Sequence, residues 1–434
     1  MKRFLLLSGA GLVLIIGTVG GWWYFTRFSA PSVRYQTSAE ASSLYVRFDM
    51  EAYDTIQKEY WGGPSDADLG ELFRLSLQKV ASTTETLATS TRAATAEMLA
   101  KRFAEATSTD ERRQWALGVV QVVLYNLSPA GRDQLLSTAE ETALRQEVSN
   151  INPSSNLYGD LGLSKGASAS EVDAAYTQKA AKLANATSSQ AEAEKKQIAY
   201  AREVLTNANS KNLYDQAQIE PTLFGRTLGH TLYFNLTRIS PTSLQEFALA
   251  VDQASTTPGL DSMIIDVRGN IGGSLDFLQA FLGLFIGQNQ YAFDLYRKGN
   301  FEPQRTTIAR FDELSRYRDI AILTDNQTQS TAELTAATFK RYRLARVVGA
   351  TTRGWGTVEN TYPLKTSIDP HTSYALLLVN NITLGSDNQP IEGRGVVPDV
   401  DIGNPNWKNK LSQYFLSSSL ISALRQTAAQ PPLK

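Results

Sequence analysis

The chain reads as an α/β core preceded by a helical N-terminal region, a small all-α module and one N-terminal transmembrane helix. Three observations predict this. From Phe224 onward, β-type apolar runs alternate with helix-type runs. Upstream, residues 44–150 and 156–216 carry apolar side chains at helical spacing. Residues 4–25 are apolar except for Ser8 and Thr18. At 434 residues the chain exceeds what one core usually holds, so two or three domains are expected.

The apolar run is long enough to span a hydrocarbon core as a helix. Trp22, Trp23 and Tyr24 close it as an interfacial belt, and Lys2 and Arg3 favour a cytoplasmic N-terminus. A cleaved signal peptide is the alternative, but the run is long for one, and bulky Phe28 precedes the nearest small-residue site, Ser29-Ala30. The reading is a single-pass anchor at residues 4–25, with the bulk of the chain extracytoplasmic. A net charge of −1 gives no footprint for nucleic acid. The chain has no cysteine and only two histidines, His230 and His371, which argues against disulfides, a thiol nucleophile and a histidine-rich metal site. No cofactor or metal is expected.

Residues 44–150 read as a helical N-terminal domain. Amphipathic helices over 44–80 break at Gly62-Gly63-Pro64, and threonine clusters weaken helix near 81–92. Residues 156–216 form a unit of their own. Ser168-Ala169-Ser170-Glu171 starts one helix, with Val172, Ala175, Tyr176, Ala180 and Leu183 on one face. A second helix runs over 191–206, and Lys211 to Asp215 closes the unit. In the core, residues 230–236 and 263–267 are strand candidates, while 243–254 and 275–286 are helix candidates. Between them lies the turn Arg268-Gly269-Asn270-Ile271-Gly272-Gly273, which must bring backbone close to something. A strand at Ala321 to Thr324 then leads through a polar turn to a helix opening at Ser330-Thr331-Ala332-Glu333. Ser330 followed by Glu333 is a capping box in its plainest reading. A nucleophilic serine would gain from the same helix N-terminus. Residues 406–427 read as one amphipathic helix, packed on the core or paired with a second copy of the chain as a homo-oligomer.

The 156–216 unit resembles a J domain, from Leu157-Tyr158-Gly159-Asp160-Leu161 through Asn212-Leu213-Tyr214-Asp215. The His-Pro-Asp tripeptide by which J domains trigger a chaperone ATPase falls on Ala184-Asn185-Ala186. A packing or docking module is therefore expected, with no chaperone ATPase as partner. Residues 224–402 resemble the C-terminal processing peptidases, or tail-specific proteases, which are serine peptidases with a crotonase-like core. Asp266-Val267-Arg268-Gly269-Asn270-Ile271-Gly272-Gly273, Ser330-Thr331-Ala332-Glu333, Arg346-Val347-Val348-Gly349 and Gly393-Arg394-Gly395-Val396-Val397-Pro398-Asp399 carry that resemblance.

The resemblance implies that Ser330 is the nucleophile. It also implies an oxyanion hole from the backbone N–H groups of Gly272 or Gly273 and of Thr331. The family's lysine base falls on Trp355, whose indole N–H donates and accepts no proton. His230 is the candidate replacement base on intrinsic pKa. His371, Lys340 and Glu359 are weaker candidates. The family's PDZ domain is replaced by the J-like unit, which puts tail recognition by strand addition in doubt. Two functions follow. One is a membrane-anchored endopeptidase acting on polypeptide through Ser330. The other is a pseudoprotease that binds polypeptide as scaffold or regulator. A chaperone-linked adaptor is a third reading, and the missing tripeptide counts against it.

Overall fold

A computed structural model describes residues 37–432, which form two compact units. The expected anchor at 4–25 lies outside the described residues. Among the described residues, no helix is long and apolar enough to cross a membrane.

The first unit joins the residues up to 138 with the segment Glu359–Leu378. It holds α1 (Ser38–Ser42), α2 (Leu44–Glu59), α3 (Asp66–Ala81), α4 (Arg92–Ala104), α5 (Thr109–Tyr125) and β1 (Gln134–Ser137). Side chains of Ser43, Ser65, Thr91 and Ser108 accept hydrogen bonds from the first-turn N–H groups of α2 to α5. Phe48, Tyr53, Ile56, Phe73, Leu99 and Phe103 meet in the core. Residues 44–150, read from sequence as helical, also hold the strand β1, which pairs antiparallel with residues 374–377. A segment from deep in the C-terminal half supplies that partner, and local helical periodicity carries no sign of it.

The second unit begins at Ala139, within α6 (Thr138–Val148), and continues with the J-like module, made of α7 (Leu157–Leu161), α8 (Ala169–Leu183), α9 (Ser189–Thr206) and α10 (Ala208–Ala217). Ser168 and Glu171 cap α8 reciprocally. Leu157, Leu161, Val172, Ile198, Leu205 and Tyr214 form the module's own core. The Tyr214 hydroxyl accepts from Leu157 N–H and donates to the Ser155 carbonyl, which pins the module's two ends together.

The core follows with β2 (Leu223–Leu228), β3 (Thr231–Leu236), α11 (Ser243–Ala254), β4 (Ser262–Asp266), α12 (Leu275–Ile286), the hairpin β5 (Tyr291–Arg297) and β6 (Asn300–Arg305), β7 (Asp319–Thr324), α13 (Thr331–Arg341) and β8 (Arg346–Gly349). β9 (Thr357–Pro363) carries the chain into the first unit's segment and β10 (Tyr374–Thr383) carries it back, after which β11 (Val400–Asp401), α14 (Trp407–Tyr414) and α15 (Ser418–Thr427) close the core. One sheet has the order β11-β8-β7-β4-β3-β2, parallel throughout except for the β2–β3 pair. Buried β4 and β7 read as continuous apolar runs because helices cover both faces. On one face Phe247, Phe281, Phe285 and Phe339 pack ring against ring. Each such burial contributes about 1.5–3 kcal/mol. On the other face α14 and α15 cover Tyr233, Ile264 and Leu323. The single helix expected at 406–427 is two, because Phe415 is extended and the Asp319 carboxylate accepts from Leu416 and Ser417 N–H.

Candidate active site

In a parallel sheet, loops leaving adjacent carboxyl ends converge. Here the turns after β4, β7 and β8 do so. The Thr328 hydroxyl donates to the Val267 carbonyl at 2.9 Å, and Gln329 N–H donates to the Asn270 carbonyl at 2.9 Å. Gly269 N–H donates to Asp325 Oδ1, and Arg353 N–H donates to the Thr328 carbonyl. Asp266 and Arg268 have a structural role in this motif. Their ion pair is buried, Tyr233 donates to the Asp266 carboxylate, and Arg268 also donates to the carbonyls of Ala428 and Gln430 beyond α15.

Ser330 sits at the first position before α13 with φ 56° and ψ −130°, a strained conformation for a residue with a Cβ. It is half-buried. The Gly272–Gly273 turn abuts it. A Cβ on Gly272 would lie 2.7 Å from Ser330 Cβ, and one on Gly273 would lie 1.8 Å from the Ile239 carbonyl oxygen. Glycine is required at both positions for close approach. Gly272 N–H donates to Asn270 Oδ1 at 2.8 Å, whereas the Thr331 hydroxyl donates to the Gly273 carbonyl at 2.6 Å. Of the two glycines named from sequence, Gly273 is therefore the one whose N–H is not committed to Asn270. Thr331 N–H, in the first helical turn, has no intrahelical acceptor. A Gly273→Ala change is expected to cost about 3 kcal/mol, read as a fall in Tm by calorimetry.

Trp355 meets Ser330 through backbone. Ser330 N–H donates to the Trp355 carbonyl at 3.1 Å and to Glu333 Oε2 at 2.9 Å. Trp355 is half-buried, with Arg353 over its ring at 5.7 Å. Sequence reasoning gave Glu333 only a cap, yet its carboxylate is fully buried and holds four donors: the N–H groups of Ser330, Gly354 and Trp355, and the Thr352 hydroxyl. Burial pushes the Glu333 carboxyl above the usual range, and those hydrogen bonds partly offset the rise. Gly356 N–H donates to Glu392 at 2.7 Å, and Gly393 N–H to the Gly354 carbonyl at 2.9 Å. The Gly354-Trp355-Gly356 loop is thus held on both sides.

The structure places His230, the candidate replacement base, away from Ser330. It is exposed at the amino end of β3, with Nδ1 2.9 Å from the Gly259 carbonyl. Ser330 follows the carboxyl end of β7, and β3, β4 and β7 run parallel. The length of a six-residue strand, about 20 Å, therefore separates the two sheet edges. Lys340 is engaged elsewhere, with Nζ 2.8 Å from the Val397 carbonyl and 3.1 Å from Asp399. It also lies ten residues along α13, about 15 Å from Ser330. Glu359 and His371 belong to the first unit.

The model for peptidase family S41 matches residues 230–402, and that for the DnaJ domain matches residues 156–215. A protein named probable CtpA-like serine protease from Staphylococcus aureus (strain bovine RF122 / ET3-1) is 29% identical over 152 residues, covering 35% of this chain and 29% of the relative. The protein of the same name from Staphylococcus haemolyticus (strain JCSC1435) is 25% identical over 177 residues, 41% of this chain and 34% of the relative. The chain thus spans about a third of the length of the curated relatives it matches. The solved photosystem II D1 C-terminal processing protease shares the fold, with a TM-score of 0.50, 12% identity, and coverage of 83% of this chain and 93% of that one. Motifs, sheet topology and family model converge: residues 230–402 are a peptidase family S41 domain, and a DnaJ-type module precedes it.

Proposed function

We propose that the chain is a serine endopeptidase of the C-terminal processing type acting on polypeptides, with Ser330 as nucleophile. Ser330 Oγ forms the new bond to the scissile carbonyl carbon. The carbonyl π pair moves onto oxygen, held by Gly273 N–H and Thr331 N–H. As it returns, the C–N bond breaks and the amine leaves with the Ser330 proton. Water then adds to the acyl-enzyme, releasing the acid product and restoring the Ser330 hydroxyl. One observation carries this reading: a strained serine at a helix N-terminus with a glycine turn closed against its Cβ. Acyl transfer without the base is slow, since an oxyanion hole and binding alone retain about 10³–10⁴-fold over water. The same reading takes residues 4–25 as a single-pass anchor that holds the domain outside the cytoplasm.

Trp355 at the base position favours a second reading, polypeptide binding without turnover. The test is cleavage of an unfolded reporter polypeptide by the full chain against Ser330→Ala, read by mass spectrometry. Products that vanish with Ser330→Ala establish the peptidase. A reporter that both proteins bind and neither cuts leaves the scaffold.

A further inference from the structure

We propose that the open edge of β2 takes up an extended polypeptide segment by strand addition, and that it prefers a segment alternating apolar and acidic residues. The inference rests on the polypeptide-handling reading above and names a surface through which a client is held. β2 ends the six-stranded sheet, and Gly225, Arg226 and Thr227 are exposed. Its hydrogen-bond phase follows from two observations. The two-residue loop Gly229-His230 closes on the pair Leu228 and Thr231, so that pair is hydrogen-bonded. Thr237 N–H donates to the Thr222 carbonyl at 2.8 Å, in the same phase. Leu223, Gly225 and Thr227 therefore turn their backbone groups away from β3. Glu246 takes Leu223 N–H at 2.9 Å, which leaves the amides of Gly225 and Thr227 facing the open side.

The surroundings fit an added strand on both faces. On one, Gly225 has no side chain over Phe234, and a cavity of about 390 Å³ opens there, floored by Leu232, Phe234, Leu249 and Ala250. It accepts an apolar side chain. On the other face a larger cleft of about 1610 Å³ is lined by Arg226, Asn235 and Arg238. Arg226 forms no ion pair among the described residues, and Glu203 faces its charge only at longer range. It suits a carboxylate. Side chains of an added strand alternate between the faces, so apolar and acidic residues would alternate along the bound segment. The J-like module borders both clefts, Glu203 and Asn207 lining the smaller and Tyr200 the larger. The Leu223 end of β2 lies on the same side of the sheet as Ser330, about 10 Å, or two strand spacings, from β4.

The experiment uses the full chain carrying Ser330→Ala, so that binding is read apart from cleavage. The probe is a capped, fluorescein-labelled peptide of alternating valine and glutamate, with a valine–lysine peptide beside it. Anisotropy is expected to show binding of the first, with amide exchange slowed at Gly225 and Thr227. Thr227→Pro removes one outward N–H and is tolerated at a sheet edge. It should abolish binding while circular dichroism stays unchanged. Arg226→Glu should weaken the valine–glutamate peptide about tenfold and strengthen the valine–lysine peptide. No binding by the parent chain overturns the proposal, as does undiminished binding by Arg226→Glu or protection confined to other strands. A chain that binds here yet never cuts the reporter would sink the peptidase reading and leave this one standing.

Discussion

Trp355→Lys is expected to raise kcat/KM for reporter cleavage by about 10²–10⁴-fold, the contribution typical of a positioned general base. The loop that would carry the lysine is already built. Glu333 holds the Gly354 and Trp355 N–H groups at 2.7 Å each, Glu392 holds Gly356, and Ser330 N–H reaches back to the Trp355 carbonyl. A side chain at this position replaces the indole without asking the backbone to move. A lysine in a half-buried site beside a helix N-terminus is disfavoured as a cation, so its pKa falls toward the range where it accepts a proton. The pH profile supplies the second readout. Activity of Trp355→Lys should rise with pH as the ammonium deprotonates, while the parent chain, lacking that group, should not show the step. A folded Trp355→Lys protein with unchanged kcat/KM and no new pH step would mean that this loop does not present its side chain to Ser330.

The parts of the site written in local sequence were legible before the structure. β4 and β7 read as strands because both their faces are buried, and α11 and α12 fall on the expected 243–254 and 275–286 because their apolar residues recur at helical spacing. Ser330 and the Gly272–Gly273 turn stand out in the sequence by chemistry that only a few residue types supply, and the structure sets them side by side. What depends on contacts distant in sequence was not. Glu333 looks like a cap because Ser330 is three residues away, whereas Thr352, Gly354 and Trp355, its other donors, lie 19 to 22 residues on. His230 was attractive on intrinsic pKa alone. Which sheet edge it occupies follows from the parallel pairing of β3, β4 and β7, and sequence periodicity carries no strand direction. The break between α14 and α15 depends on Asp319, nearly a hundred residues earlier, capping Leu416 and Ser417.

Glu333→Ala is expected to cost more than any change confined to the reacting atoms. The carboxylate sits with no exposure between the N-terminus of α13 and the Thr352–Gly356 loop, and it is the shared acceptor for donors from both. Its removal takes from the Gly354 and Trp355 N–H groups the acceptor they have here and leaves Ser330 N–H with the Trp355 carbonyl alone. Each unmet buried donor costs about 1–3 kcal/mol. Water entering the vacated space returns part of this, so a net loss of roughly 3 kcal/mol is expected, a fall in Tm of about 6–12 °C for a domain of this size. Function should fail along with stability, because Ser330 keeps φ 56° only while its surroundings over-determine that strained backbone. Glu333→Gln separates the two effects. It preserves volume and one acceptor oxygen but turns an amide NH₂ toward groups that are themselves donors. Stability should fall less than in Glu333→Ala, and cleavage should fall nearly as far. Differential scanning calorimetry and the reporter assay on both variants check this. Equal Tm values for Glu333→Ala and the parent chain would show that the carboxylate is a dispensable cap, and the loop carrying Trp355 would then need another account of what holds it against Ser330.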